Sequence, residues 1–172
     1  MTRLRRIENR DRIFFITTNI ARELAPFTPA ERNLILATID EHRNRGDFFL
    51  FGYVAMPTHL HLLLSPQKEE LIRIMRDVKS KTGFAIAHGR QIPGPIWQAR
   101  YFDTIIRKVR DFWQKLEYIH NNPVEAGLAG GPAKWKWSSY RQIAMKESRP
   151  IAVDPADLPA DGNHLLWPAP WR

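Results

Sequence analysis

Two histidines one residue apart, and a tyrosine four residues before an asparagine, are the residues whose types and spacing suggest chemistry. His59 and His61 flank Leu60, and Tyr118 precedes Asn122 in the run YIHNNPV. Side chains alternate along a strand, so both imidazoles would face one side while Leu60, Leu62 and Leu64 face the other. Two imidazoles on one face can hold a divalent metal; the same pattern also suits two polar residues on a half-exposed strand. On a helix starting near Asp111, the residues Phe112, Trp113, Leu116 and Ile119 form a core-facing stripe. Tyr118 lies about 140° from the centre of that stripe, away from where a core tyrosine would sit. Asn122, four residues on, and Lys115, three residues back, share its face. A phenol, with a pKa of ~10 in isolation, can attack a phosphate when a metal or a cation takes up the charge.

These residues need elements to hold them. RIFFITTNI, residues 12–20, is rich in β-branched and aromatic residues and predicts a strand. A helix follows, with Thr28 as N-cap, Pro29 at the first helical position, Glu31 closing a capping box and Gly46 ending it. FFLFGYVAM and HLHLLL predict an antiparallel pair of strands. The next helix spans roughly residues 68–87, with Leu71, Ile74, Met75, Val78, Thr82 and Ala85 on its apolar stripe and Arg73, Arg76 and Ser80 opposite. A strand over IWQARYFDTII follows the turn at Gly94, and the tyrosine helix then begins near Asp111, with Gln114 as a capping partner, and must end near Pro123. The first six elements are those of an α+β, ferredoxin-like split βαβ antiparallel sheet, with an additional C-terminal helix carrying Tyr118. After Gly127 an irregular chain is expected. Beyond Pro150 it is Pro-rich, yet Leu165, Leu166, Trp167 and Trp171 are too apolar for a free tail. The division expected is residues 1–140 as the main domain and 141–172 as an extension docked on the body or on a partner chain.

The net charge of the 172 residues is +8, and Arg3, Arg5, Arg6, Arg10 and Arg12 crowd the start. An acidic polymer suits such a surface, because neutralising phosphates releases condensed counterions. Arg3, Arg5, Arg6, Arg73, Arg76 and Lys115 are candidate DNA contacts, and Trp135 and Trp137 are candidates for stacking on unpaired bases. His120 and Asn121 are placed on other faces of their helix, within reach of DNA. Asp103 is a candidate partner for the metal ligands, while His42, His88 and His164 read as structural. No run is apolar enough to span a bilayer, the start lacks the apolar stretch of a signal peptide, and there are no cysteines. A cytoplasmic protein is expected.

The runs YVAMPTHLHLLL, WQARYFDTIIR, YIHNNPVEAGLA and WKWSSY, in this order and spacing, resemble the REP-associated tyrosine transposases. These are relatives of the single-tyrosine HUH transposases of small insertion sequences. The resemblance covers the chain from about Ile13 to Tyr140. It implies Tyr118 as nucleophile, His59 and His61 as metal ligands and Asn122 as the third, where glutamine often stands in insertion-sequence transposases. It implies magnesium or manganese; two imidazoles alone would suit zinc equally, and a phosphodiester whose oxygens complete a hard shell tilts the choice. It implies a single-stranded DNA substrate folded as a palindromic hairpin, cut through a 5′-phosphotyrosine. With one tyrosine per chain, exchange of two strands needs a homodimer or reuse of the site. Two alternatives stand beside this reading: a non-catalytic, domesticated nucleic-acid-binding regulator on the same fold, and a phosphodiesterase in which water attacks and Tyr118 is a bystander.

Overall fold

The computed structural model describes residues 12–147 and 150–158. Strand β1 (Ile13–Asn19) leads through a loop to helix α1 (Pro29–Asn44), then to β2 (Phe48–Ala55) and β3 (His59–Pro66). Helix α2 (Leu71–Arg90), strand β4 (Phe102–Ile106) and helix α3 (Val109–Glu125) complete the frame, followed by a 3-10 turn (Pro132–Lys134) and a short helix α4 (Tyr140–Met145). The four strands pair in the order β2-β3-β1-β4, all antiparallel, which is the ferredoxin-like arrangement expected from the order of elements. No helix of the described residues is long and apolar enough to cross a membrane.

Helix α1 starts as its sequence dictates. The Glu31 N–H donates to Thr28 Oγ1 at 3.2 Å and the Thr28 N–H donates to Glu31 Oε2 at 2.8 Å, so two otherwise unpaired donors are satisfied reciprocally. Gly46 then takes φ +78°, the left-handed turn that lets the chain leave the helix. Helix α2 buries Leu71, Ile74, Met75, Val78 and Thr82 as expected, but Ile86 takes the place expected of Ala85.

One face of the sheet carries Phe14 and Ile16 from β1 and Leu60, Leu62 and Leu64 from β3, each at most 2% exposed and roofed by α1 and α2. Helix α3 lies on the other face, against β2, β3 and β4. Both of its ends lie within two residues of those expected, though the cap is not the one expected. It begins with Lys108 as its cap and without a side-chain capping bond, so Asp111 lies inside its first turn. It also runs through Pro123 to Glu125. Pro123 forfeits only its own N–H, and its carbonyl accepts from Leu128 N–H at 2.9 Å, so the last turn survives the ring. Asn122 therefore stays helical, and the alignment of Tyr118 with Asn122 holds.

The chain after Gly127 is more ordered than its composition suggests. The Ala55 N–H donates to Trp137 O at 2.8 Å and the Ser139 N–H to Tyr53 O at 3.0 Å, which covers one stretch of the free edge of β2. Further along that edge the Leu50 N–H donates to Asp154 Oδ2 and the Asp154 N–H to Leu50 O. Ile151 is buried, and its carbonyl accepts from the Tyr53 hydroxyl.

Candidate active site

The register of β1 against β3 sets Thr17 opposite His61 and Asn19 opposite His59. Both imidazoles thus lie on the α3 face, as strand alternation requires. His59 Nε2 is 3.0 Å from Asn122 Oδ1, and the His59 and His61 ring centres are 4.7 Å apart. The Tyr118 ring meets His61 edge-on at 5.3 Å and Phe15 at 5.9 Å, and His61 is stacked on Phe15. Lys115 Nζ stands 4.6 Å from the centre of the Phe15 ring and 5.8 Å from that of Tyr118. The structure thus gathers His59, His61, Lys115, Tyr118 and Asn122 into one cluster from one strand, β3, and one helix, α3. Tyr118 is 40% exposed, which keeps its hydroxyl within reach of a ligand from solvent.

Burial depresses both histidines. Desolvation, then the neighbouring His59, push His61 down to about 3, and desolvation also lowers His59 against the opposing hydrogen bond that its ring donates to Asn122 Oδ1. Both rings are therefore neutral near pH 7, the form in which imidazole binds a metal. Thr17 Oγ1 lies 2.9 Å from His61 Nδ1, and Thr58 Oγ1 lies 3.1 Å from His59 Nδ1. A proton held on His61 Nδ1 by the Thr17 hydroxyl leaves the His61 Nε2 lone pair free, whereas His59 Nε2 faces Asn122 Oδ1. His61 Nε2 is buried without a hydrogen-bond partner among the described residues, a costly state for an acceptor that binds nothing. Two imidazoles and one carboxamide oxygen fit a divalent cation that keeps several positions for water or phosphate oxygens. No group of three His, Cys, Asp or Glu side chains suited to a metal occurs among the described residues.

Several expected site residues lie elsewhere. Trp135 and Trp137 are both only 8% exposed. The Trp135 Nε1–H donates to Ala55 O, the Trp137 Nε1–H donates to Asn33 Oδ1, and the Arg32 guanidinium lies 3.9 Å from the Trp137 ring centre. Their rings are thus occupied within the fold, which corrects the expectation that they stack on bases. Arg73 and Arg76 are exposed on α2, across the sheet from Tyr118, and pair with Glu69 and Asp77. Arg3, Arg5 and Arg6 lie outside the described residues, as does His164.

His120 is buried rather than offered to DNA, with Nε2 3.0 Å from Ser139 Oγ, and burial pushes it down to about 4. Trp113, expected on the buried stripe, is 53% exposed. Asp103 pairs in register with Ile16 and so occupies the face opposite the imidazoles, which removes it as their partner. His42 is structural, bonded to Asp47 at 2.9 Å. Thr17, Thr58 and Phe15 were missed. Strand alternation in FFITTN places Phe15 and Thr17 on one face, but only the pairing register shows that this face is the histidine face.

No family model matches the chain. A REP-associated tyrosine transposase of Escherichia coli (strain K12) is 24% identical over 170 residues, covering 96% of this chain and 99% of that protein. A Haemophilus influenzae protein assigned provisionally to the same family is 28% identical over 110 residues, covering 55% of this chain and 60% of that one. The fold is shared with the solved structure of a REP-associated tyrosine transposase bound to a REP hairpin, with a TM-score of 0.70 at 20% identity, covering 95% of this chain and 97% of that one.

Proposed function

We propose, for a chain similar over nearly its full length to a REP-associated tyrosine transposase, that it cuts and rejoins hairpin-bearing single-stranded DNA through Tyr118. The observation that carries the reading is an exposed phenol packed edge-on to one of two neutral, same-face imidazoles, with a carboxamide oxygen and an ammonium beside it. A non-catalytic DNA binder would need no such cluster. The hairpin assignment rests on the DNA bound to the structural relative and on this chain's net charge of +8.

His59, His61 and Asn122 would hold magnesium or manganese, and a bound ion supplies charge neutralisation at the non-bridging oxygens of the scissile phosphate. Everything else falls to the chain. Tyr118 Oη bonds to phosphorus, and the bond from phosphorus to the 3′ oxygen breaks. The phenolic proton is lost and the departing 3′ oxygen gains one, so the net products are a 5′-phosphotyrosine and a free 3′-hydroxyl. One phosphodiester is exchanged for another, and a 3′-hydroxyl can reverse the step without a nucleotide triphosphate. Lys115 places a positive charge near both the phenol and the incoming phosphate. Packing against Phe15 and His61 holds the Tyr118 ring, so that attack starts from a restricted set of orientations.

The test is covalent trapping. Wild-type protein incubated with manganese and a hairpin-bearing oligonucleotide should form a denaturation-resistant adduct, located on Tyr118 by mass spectrometry. Tyr118→Phe should form none while binding DNA within about 1 kcal/mol of wild type. Cutting by Tyr118→Phe would identify water as the attacking group and overturn the reading. An adduct on Tyr101 or Tyr140 would keep the reaction class and move the site.

A further inference from the structure

We infer that Phe102 is a stacking platform for an unpaired base of the DNA strand that enters this site, an inference that rests on the function proposed above. Phe102 is 68% exposed. It stands in register with Thr17 on β1, and Thr17 stands in register with His61 on β3. Residues directly opposite one another share a face of the sheet, so Phe102, Thr17 and His61 form one row. Strands are about 4.8 Å apart, which sets Phe102 roughly 10 Å from His61 along that row.

The surroundings explain why this ring is bare. Helix α3 packs mainly on β2 and β3 and touches β4 less, and Phe102 at the outer end of the row stays bare. Thr17 is only partly buried, and Thr104, the next site-face residue of β4, is exposed. Phe49, Phe84 and Trp113 are also exposed, but they stand on β2, α2 and α3, and none shares the His61 row.

The charge around Phe102 selects the occupant. Arg100 precedes β4 and Arg107 and Lys108 follow it, all exposed. The ion pairs of this part of the described chain join Arg76 to Asp77 and Arg110 to Asp111 and leave those three cations out. Lys115 lies over Phe15, which is in register with Thr104. An exposed aromatic face set among unpaired cations suits a single strand, whose bases stack while its phosphates are neutralised. In a duplex the bases are already stacked and would not engage a flat ring at a sheet edge. A base clamped on Phe102 would fix the neighbouring backbone against the row that leads to His61.

The experiment uses the full-length chain and a hairpin oligonucleotide carrying 2-aminopurine at each unpaired flank position in turn. At one position, wild type should quench the fluorophore on binding, Phe102→Ala should lose that quench, and Phe102→Trp should restore it. Phe102→Ala should slow adduct formation about tenfold with its unfolding midpoint unchanged. Removing the base at that position should cost wild type a similar factor and cost Phe102→Ala little more. Adduct formation by Phe102→Ala at the wild-type rate, or a loss fully additive with base removal, overturns the stacking role and leaves Tyr118 chemistry standing. Absence of adduct from wild type overturns both.

Discussion

Leu116 occupies the space that a side chain on Gly52 would need: a Cβ at residue 52 would fall 2.5 Å from Leu116 Cδ1, and 3.8 Å from Ile119 Cδ1. Gly52 lies on the α3 face of β2, just after the register shift that leaves Phe51 unpaired. The bare backbone lets α3 settle onto the sheet, and Tyr118 and Asn122 ride on that helix. Gly52→Ala should push α3 outward, lowering stability by about 1–3 kcal/mol, the usual cost of overfilling a packed core. Adduct formation should fall further than stability alone explains. Adding Leu116→Ala empties the contested volume, so the double variant should be less destabilised than the sum of the singles in urea titrations. Strict additivity would show that the two residues do not compete.

The burial of Trp135 and Trp137 changes what their removal should do. Trp135→Ala empties a packed site and should cost about 3 kcal/mol or more of stability. Trp137→Phe loses the bond to Asn33, worth about 1 kcal/mol. DNA affinity, measured where both variants remain folded, should stay close to wild type. A tenfold loss of affinity with an unchanged unfolding midpoint would restore a direct contact with bases.

Glu31 ties two helices together, since it closes the α1 capping box and accepts two bonds from Arg90 at the end of α2, each at 2.6 Å. Those Arg90 bonds come first among the causes that hold its carboxyl below the ordinary value of 4.5. A depressed carboxyl stabilises the fold above its unfolded pKa, and that contribution is lost as pH falls through the folded value. Glu31→Gln keeps a cap acceptor and removes the charge. Its unfolding midpoint should lie below that of wild type at pH 7, and the gap should close as pH drops below about 4.5. A gap that persists at pH 2 would assign the effect to packing.

The sequence was most legible where the determinants are local. The Thr28–Glu31 box and the His59–His61 alternation need only a few adjacent residues, and both stand as read. The stripe of α3 was legible up to its edge. Trp113 was placed in the core because helical periodicity does not say how far the sheet extends beneath a helix. Pro123 misled because its general effect on helices ignores a last turn with little hydrogen bonding to lose. Trp137 was out of reach of any local rule: its partner Asn33 lies 104 residues away, and only the folded chain shows that a loop tryptophan is already occupied. Thr17 was hidden for the same reason, since its value to His61 comes from strand register.

The orphaned Nε2 of His61 gives the metal reading a test that needs no DNA. A cation that binds the folded chain and not the unfolded one raises stability, by about 2.7 kcal/mol at a hundredfold excess over Kd. Manganese should therefore raise the thermal midpoint of wild type by several degrees. The metal-free midpoint of His61→Ala serves as its own baseline, because that variant also loses the stack on Phe15. Measured from that baseline, manganese should shift it little. Asn122→Asp places a carboxylate where the carboxamide oxygen lies 3.0 Å from His59 Nε2, and a hard cation prefers the charged ligand. Its shift should exceed that of wild type at equal manganese, and Asn122→Ala should fall between wild type and His61→Ala. The same shift in all four proteins would place the ion elsewhere and remove His61 and Asn122 as ligands.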